Sequence, residues 1–338
     1  GGDGLLQGAL LALEACRGRL PAGPVLHLHV PKTAGSSLCA WGRTRGLRPA
    51  GGSSPCHLPG DDAVWLGEPA LMASCRERLL EAKGTNASWM SVERWVELPL
   101  CDELHYVVAL REPVPRALHH FRHLAAFFAG KSWPRFGRFK SGLFAQLWRS
   151  DTVLSRGRLR TRGRDWLELW LGMASNYQVR ALAAGGLGAF LEPGRRIERR
   201  LGAAMAVLEQ LDVVLVVGSG LLRPWQEDLL EQLLPQPADH SSRKPFPLVS
   251  QGFGEPWLYP EELAKGRPPE PFVPADYDWA PGELRETLRR NAADEVLVDH
   301  ARKLERLDRE YFARVTPGAW AGAKTPRKRR KGEKKKKK

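Results

Sequence analysis

Two short cationic segments each follow an apolar run and have the composition of an anion-binding turn. Residues 31–37 (PKTAGSS) follow the run 25–30, and residues 111–116 (REPVPR) follow the run 104–110. A Gly/Ser turn that opens a helix presents backbone N–H groups to an anion. Lys32 adds a point charge, and Arg111 can bind a phosphate through two parallel N–H groups. The ordinary alternatives are a solvated Lys32 and an Arg111 that pairs with Glu112.

The pattern of apolar runs predicts the elements that would position these side chains. We expect strands at 25–30, 104–110 and 213–217, and helices from 38, at 68–83, from 111 to about 127, after 220 and at 283–313. The Pro/Gly-rich stretches 48–62 and 235–282 are expected to be loops. Strands that alternate with helices indicate an α/β fold with a mostly parallel sheet, whose strand ends bind ligands. The two cationic turns should therefore meet at one edge of the sheet.

Composition narrows the class of protein. The 338 residues are 43% hydrophobic, with 12 Trp and 11 Phe, which excludes a disordered chain. The net charge is +14, but residues 324–338 alone carry eleven Lys and Arg against Glu333. We expect an N-terminal helix or linker at 1–20, one domain at 21–315 and a disordered basic tail at 316–338. No stretch reaches the ~20 apolar residues of a membrane helix, and five cysteines without a CxxC pair fit either a cytosolic or a secretory protein.

Four segments resemble the Golgi sulfotransferases that use 3′-phosphoadenylyl sulfate (PAPS), and most closely the heparan-sulfate 6-O-sulfotransferases. HLHVPKTAGSSL resembles the family's PKTGGTT-like loop, and LREPVPRALHHFRH resembles its LRDPVxRYLSExRH-like segment. Residues 176–182 (NYQVRAL) are similar to its NxQxRxL helix, and residues 241–243 (SSR) to its TTR segment. The four segments occur in the same order as in the family, over about residues 25–315. The resemblance implies a P-loop-like parallel sheet flanked by helices, the sulfotransferase fold, in one domain.

The resemblance also implies roles for individual residues. Three segments would bind the donor PAPS: His29, Val30, Pro31, Lys32, Thr33, Ala34, Gly35, Ser36 and Ser37; Arg111 and His119; and Arg243 and Lys244. Lys32 would also be catalytic. Arg111 would bind the 3′-phosphate. His123 and Trp133 would contact the acceptor. The reaction would be an in-line displacement without a metal, in the Golgi lumen, behind a membrane anchor that this chain does not show.

Two positions depart from the family pattern. His119 stands where the family has a Ser that binds the 3′-phosphate. Asn86 stands where a GLHADW-like segment places the His that takes the acceptor's proton, and an amide cannot act as that base. Asn86 also begins an Asn-Ala-Ser glycosylation sequon, so a glycan would be expected in the acceptor cleft. His57, Glu93 and Glu97 are other candidate bases, whereas His27 and His105 are expected to be packed within strands.

A basic segment rich in aromatic residues suggests which class of acceptor the protein binds. Residues 131–164 hold ten Lys and Arg against Asp151, interleaved with Trp and Phe. This composition suits an acidic polysaccharide, although it would equally suit nucleic acid or a solvated insertion. We predict an acidic glycan acceptor and no specific nucleic-acid partner. The alternatives are a catalytically impaired protein that binds PAPS or polyanions, a tyrosyl-protein sulfotransferase, and a basic nuclear protein suggested by the tail alone.

Overall fold

The fold is built on a sheet of four parallel strands. The structure is a computed structural model, and it describes residues 23–50, 56–58, 74–93, 95–96, 98–120, 174–183, 196–218, 222–234 and 282–315. The spatial order of the strands is β2-β1-β3-β4. Their bounds are Val25–Leu28 (β1), Trp89–Val92 (β2), His105–Arg111 (β3) and Val213–Val217 (β4). Each pairing is parallel and in continuous register. The predicted α/β arrangement with a parallel sheet is confirmed for the described residues.

Helices cover both faces of this sheet. Within the described residues they are Gly35–Thr44 (α1), Cys75–Gly84 (α2), 113–120 (α3), Tyr177–Leu182 (α4), Ile197–Leu208 (α5), Pro224–Leu233 (α6), Glu283–Arg290 (α7) and Ala292–Val315 (α8). The expectation of one helix over 283–313 is wrong, because the chain breaks at Asn291. The Asn291 side chain donates to the carbonyls of Ala174 (2.6 Å) and Thr287 (2.8 Å), which fixes the break.

The strands are apolar almost throughout because both faces of the sheet are buried. Alternate side chains of β3 enter opposite sides of the core: Val108 and Leu110 pack toward α4, α5 and α8, whereas Val107 and Ala109 pack toward α1 and α6. Because both faces are covered, β1, β3 and β4 are continuous apolar runs, and they could be predicted from the sequence. Strand β4 has the predicted bounds, β3 begins and ends one residue later than predicted, and β1 stops at Leu28 instead of residue 30.

Strand β2 was not predicted. It has four residues (WMSV), and Ser91 interrupts its apolar pattern. Its position depends on long-range contacts that a linear pattern does not display. Ser91 Oγ lies 3.1 Å from Nδ1 of His27 on β1, and isolated bridges join Trp89 to Pro49 and Ser91 to His57. The segment 48–62, predicted to be a loop, therefore supplies edge contacts to β2 where it is described.

Two disulfides tie peripheral segments to the sheet's supporting helices. Cys39 of α1 bonds Cys56, and Cys75 of α2 bonds Cys101. The first bridge anchors the segment 56–58 beside β2. In the part of the chain that the structure describes, no helix has the length and apolarity needed to cross a membrane.

The strand order creates a crevice between β1 and β3. The chain leaves β1 toward β2 on one side, and leaves β3 toward β4 on the other side. In open parallel sheets, ligands bind at this kind of reversal, outside the carboxyl ends of the strands. The segments that follow β1 and β3 are the two cationic turns.

Candidate active site

The turn after β1 has a backbone suited to binding an anion. Lys32 and Ala34 both adopt left-handed conformations, with φ of 69° and 70°. Alternation of left-handed residues turns successive N–H groups toward one concave side, and such strained non-glycine residues cluster at functional sites. The Thr33 hydroxyl donates to the Val30 carbonyl (2.7 Å) and braces the turn. Helix α1 then begins at Gly35 with no side-chain cap at Ala34, which leaves its first-turn N–H groups directed at this edge.

Gly35 is required by a close approach of the His29 ring. A Cβ built at this position would lie 2.1 Å from Nε2 of His29. The His29 side chain is only 9% exposed, so the ring has little room to withdraw. The absence of a side chain at Gly35 thus lets α1 start directly against the end of β1.

Arg111 reaches the same turn from the neighbouring strand. Its Nη1 donates to the carbonyl of Lys32 (3.3 Å) and to Nδ1 of His119 (2.9 Å). Because Nδ1 of His119 accepts, the proton of the neutral ring lies on Nε2, which is a donor suited to phosphate. The alternative pairing of Arg111 with Glu112 is not what the structure has, since Glu112 forms its ion pair with Arg302 of α8.

The NYQVRAL segment holds Arg111 in place, and the sequence did not reveal this role. Gln178 forms two hydrogen bonds with the backbone of Arg111: its Oε1 accepts from the N–H (3.0 Å), and its Nε2 donates to the carbonyl (2.8 Å). Asp294 of α8 in turn accepts from the N–H groups of Gln178 (3.1 Å) and Val179 (2.8 Å). Asn176 Oδ1 accepts from the N–H groups of Ala293 and Asp294, both at 3.0 Å, and so caps α8. Helices α4 and α8 together fix the end of β3.

Burial sets the protonation of the turn's side chains. It lowers the pKa of Lys32 to about 8; the Glu93 carboxylate opposes this shift, and the Arg111 charge adds to it. Burial also lowers the pKa of His29 well below its usual range, helped by His27, His57 and Lys32. Lys32 is therefore an ammonium at neutral pH that readily gives up its proton, while His29 is a neutral imidazole.

A carboxylate and two imidazoles lie next to Lys32. Oε2 of Glu93 is 3.3 Å from Nε2 of His57 and 3.7 Å from Nδ1 of His29. Glu93 directly follows β2, and the Cys39–Cys56 disulfide holds His57 close by. The ligand atoms of the three side chains lie within 4.8 Å of one another, close enough to share a cation, although the adjacent Lys32 charge opposes one. Without a cation, the carboxylate can accept a proton, with His57 as its neighbour.

Asn86 lies at the opposite edge of the sheet, so its placement at the family's base position is wrong. It follows the end of α2 in a left-handed turn (φ 51°), where its N–H donates to the Lys83 carbonyl (3.1 Å). Strand β2 then runs away from it, parallel to β1, and ends beside Glu93. The strand alone spans about 10 Å. A glycan on Asn86 would therefore not lie in the proposed cleft, contrary to the expectation from sequence.

The remaining sequence-predicted residues divide into two groups. His27 and His105 are buried within strands, as predicted. The following lie outside the described residues: His123, Trp133, Arg243, Lys244, Glu97 and the basic segment 131–164. Of the predicted donor-site residues, the structure brings together the 29–37 turn, Arg111 and His119.

Comparison of the chain with models of known protein families, with curated proteins and with solved structures yields no match. The function is therefore inferred from the resemblance of the motifs and from the residues at the carboxyl edge of the sheet, the edge at which its parallel strands end.

Proposed function

We propose that this chain is a sulfotransferase that moves a sulfuryl group from PAPS to a hydroxyl of an acidic glycan, as heparan-sulfate 6-O-sulfotransferases do. The observation that carries the proposal is the convergence of Lys32, Arg111 and His119 at the switch point between β1 and β3. PAPS has two anionic ends, the 5′-phosphosulfate and the 3′-phosphate. A turn of N–H groups with one Lys, joined to an Arg–His pair, offers a separate cationic partner for each end.

In this proposal the 5′-phosphosulfate binds the 29–37 turn and the 3′-phosphate binds Arg111 and His119. Gln178 holds the backbone of Arg111, and Nη1 bonds the Lys32 carbonyl and His119, so the guanidinium is positioned before the donor arrives. Such preorganisation lowers the entropic cost of binding. The sulfotransferase fold in a single domain is part of the same proposal.

The transfer step needs one cation and one proton acceptor. The acceptor oxygen attacks sulfur, and a new O–S bond forms as the bond from sulfur to the bridging 5′-phosphate oxygen breaks. The electron pair of the broken bond stays on that phosphate oxygen, where the Lys32 ammonium stabilises the charge. The hydroxyl proton passes to the Glu93 carboxylate, which His57 orients. The products are 3′,5′-ADP and a sulfate ester.

The position of Glu93 favours an active enzyme over a catalytically impaired protein that binds PAPS or polyanions. That alternative was motivated by Asn86 at the base position, but Asn86 lies at the other edge, and a carboxylate lies 3.3 Å from His57 beside the donor turn.

A tyrosyl-protein acceptor is the second candidate within the same chemistry. The aromatic and basic composition of residues 131–164 favours the glycan. The two disulfides agree with work in the Golgi lumen.

Transfer of radiolabelled sulfate from PAPS tests the proposal. Desulfated heparan, chondroitin and a tyrosine-rich acidic peptide serve as acceptors. We expect label on the heparan-type glycan, loss of transfer in Lys32→Ala, and full transfer in Lys83→Ala, whose side chain is exposed on α2 away from the edge. Glu93→Gln should keep 3′,5′-ADP binding and lose transfer. Full activity in Lys32→Ala would overturn the mechanism, and nucleotide binding without product on any acceptor would favour the impaired binder.

A further inference from the structure

The sequon at Asn86 lies on an exposed turn at the edge of the sheet away from the candidate site. The sequence contains three asparagines, and only Asn86 begins the Asn-X-Ser/Thr pattern, as Asn86-Ala87-Ser88. Residues 83–86, which comprise the last two residues of α2 and the turn after it, are all exposed. An oligosaccharide attached there would project into solvent.

The side chains of the other two asparagines hold buried parts of the fold together. Asn176 and Asn291 are buried and hydrogen-bond the backbones of α8, Ala174 and Thr287. The left-handed φ of Asn86 suits its turn, since Asn tolerates this conformation better than most residues. An exposed turn accounts for an Asn at position 86, and the hydroxyl at position 88 has a partner of its own in Arg48.

Ser88 supplies the hydroxyl of the sequon, and in the folded chain this hydroxyl is already engaged. Its Oγ accepts from the N–H of Arg48 (2.8 Å), and its own backbone bonds both Arg48 and Val25. The pairing of the Ser88 backbone with Val25 and Arg48 also fixes the conformation of the sequon, which can adapt to a transferase more easily before β2 pairs with β1.

The disulfides supply the second, independent observation. Cys39–Cys56 and Cys75–Cys101 both require an oxidising compartment during folding. The lumen in which such disulfides form is also where N-linked oligosaccharide is added to nascent chains. Helix α2 carries Cys75 at its first residue and leads directly into the Asn86 turn, so the oxidised and the modified segments are adjacent in the chain.

We propose that Asn86 carries an N-linked oligosaccharide, added as the chain enters an oxidising lumen and before β2 joins the sheet. The glycan lies at the amino edge of the sheet and leaves the carboxyl edge open. This inference does not depend on the proposed sulfotransferase activity.

The test is expression of the full chain behind a cleavable secretion signal in mammalian cells. Chain recovered from the lumen or the medium is treated with peptide-N-glycosidase F and mapped by mass spectrometry. We expect a loss of mass and conversion of Asn86 to Asp. Asn86→Gln should show no such loss, whereas Ser88→Thr, which keeps the sequon, should show it. An unmodified Asn86 in chain whose two disulfides have formed would overturn the proposal.

Two further readouts separate the glycan from the nucleotide site and fix the order of events. Glycosylated chain and Asn86→Gln should bind 3′,5′-ADP, or fail to bind it, equally. A Kd that differs more than a few-fold would place the glycan near the carboxyl edge and contradict its assigned position. Folded chain from bacteria should resist modification by purified oligosaccharyltransferase that modifies a peptide of residues 80–92. Modification of the folded chain would overturn the proposed order.

Discussion

Among single residues, Lys32 has the charge on which anion binding at this edge of the sheet depends most. Its ammonium lies in a turn where burial favours the neutral amine, and its pKa of about 8 places the loss of charge just above neutral pH. The neighbouring Arg111 stays charged throughout this range. Lys32 is therefore the group whose titration anion binding should report.

We predict that the affinity for 3′,5′-ADP falls as the pH rises from 7 to 9. The anion binds the ammonium form, so binding above pH 8 must take up a proton, and the affinity falls by at most about tenfold per pH unit. Lys32→Arg keeps its charge and should flatten the profile. Calorimetric titration at several pH values measures both chains. An equal decline in the two would show that another group titrates.

The convergence of Lys32 and Arg111 could be predicted from sequence because parallel strands bring the segments after them to one edge. Lys32 and Arg111 follow strong apolar strands, so their convergence needed no alignment. The proposed proton acceptor, Glu93, was among three candidate bases in the sequence, but it could not be singled out in the same way. Glu93 follows a four-residue strand with a weak pattern, and His57 reaches it through a disulfide and an isolated bridge. These are contacts between segments far apart in the chain, which periodicity does not encode.

At the scale of elements, the start of α1 depends on the absence of a side chain at Gly35. We predict that Gly35→Ala destabilises the fold by about 1–3 kcal/mol, because overpacking forces the His29 ring to move. It should also weaken nucleotide binding, since the turn and the helix start shift together. Urea unfolding measures the free energy, and calorimetry the affinity.

Gly202 in α5 is the matched control, because a Cβ built there meets nothing within 4 Å. Gly202→Ala should stabilise the chain by about 0.5–1 kcal/mol through the higher helix propensity of alanine. Equal effects of the two substitutions would contradict the close approach of His29 to Gly35.

Glu305 links α8 to the end of the sheet and supplies a pH-dependent term in stability. Its Oε1 accepts from the Val216 N–H (2.9 Å) and from Gln226 Nε2 (2.6 Å), and burial raises its pKa to about 7. A folded-state pKa above the unfolded value of about 4.3 favours folding most at low pH, and this contribution is lost as the pH rises toward 7.

We predict that Glu305→Gln, which keeps the accepting oxygen, becomes more stable relative to the parent chain between pH 5 and 8. The relative gain should be on the order of 1–3 kcal/mol. Urea unfolding of both chains across this range measures the difference in the free energy of unfolding. A difference that stays constant with pH would show that Glu305 titrates normally.

At the scale of the whole molecule, two disulfides join loops to the helices of a small sheet. The closed loops have sequence separations of 17 and 26 residues, and each bridge is expected to contribute about 3 kcal/mol. The cysteine count alone left the compartment open, because spacing does not reveal which thiols meet in space.

We predict that peptide mapping under non-reducing conditions recovers Cys39 with Cys56 and Cys75 with Cys101. Reduction should lower the Tm by several degrees, because it restores freedom to the unfolded chain. It should also release the 56–58 segment from α1 and so reduce transfer more than nucleotide binding. Free thiols at these four positions in chain secreted from eukaryotic cells would contradict the pairings.

We propose that the Lys32 turn and the Arg111–His119 pair form one site for a nucleotide that carries both a 5′- and a 3′-phosphate. Calorimetric titration with 3′,5′-ADP, with 5′-AMP as the matched ligand, tests it most directly. We expect micromolar binding of 3′,5′-ADP and at least tenfold weaker binding of 5′-AMP. That difference should be lost in Arg111→Lys, which keeps the charge but cannot form two parallel hydrogen bonds to a phosphate. Equal affinity for the two nucleotides, or binding of neither by the folded chain, would contradict it.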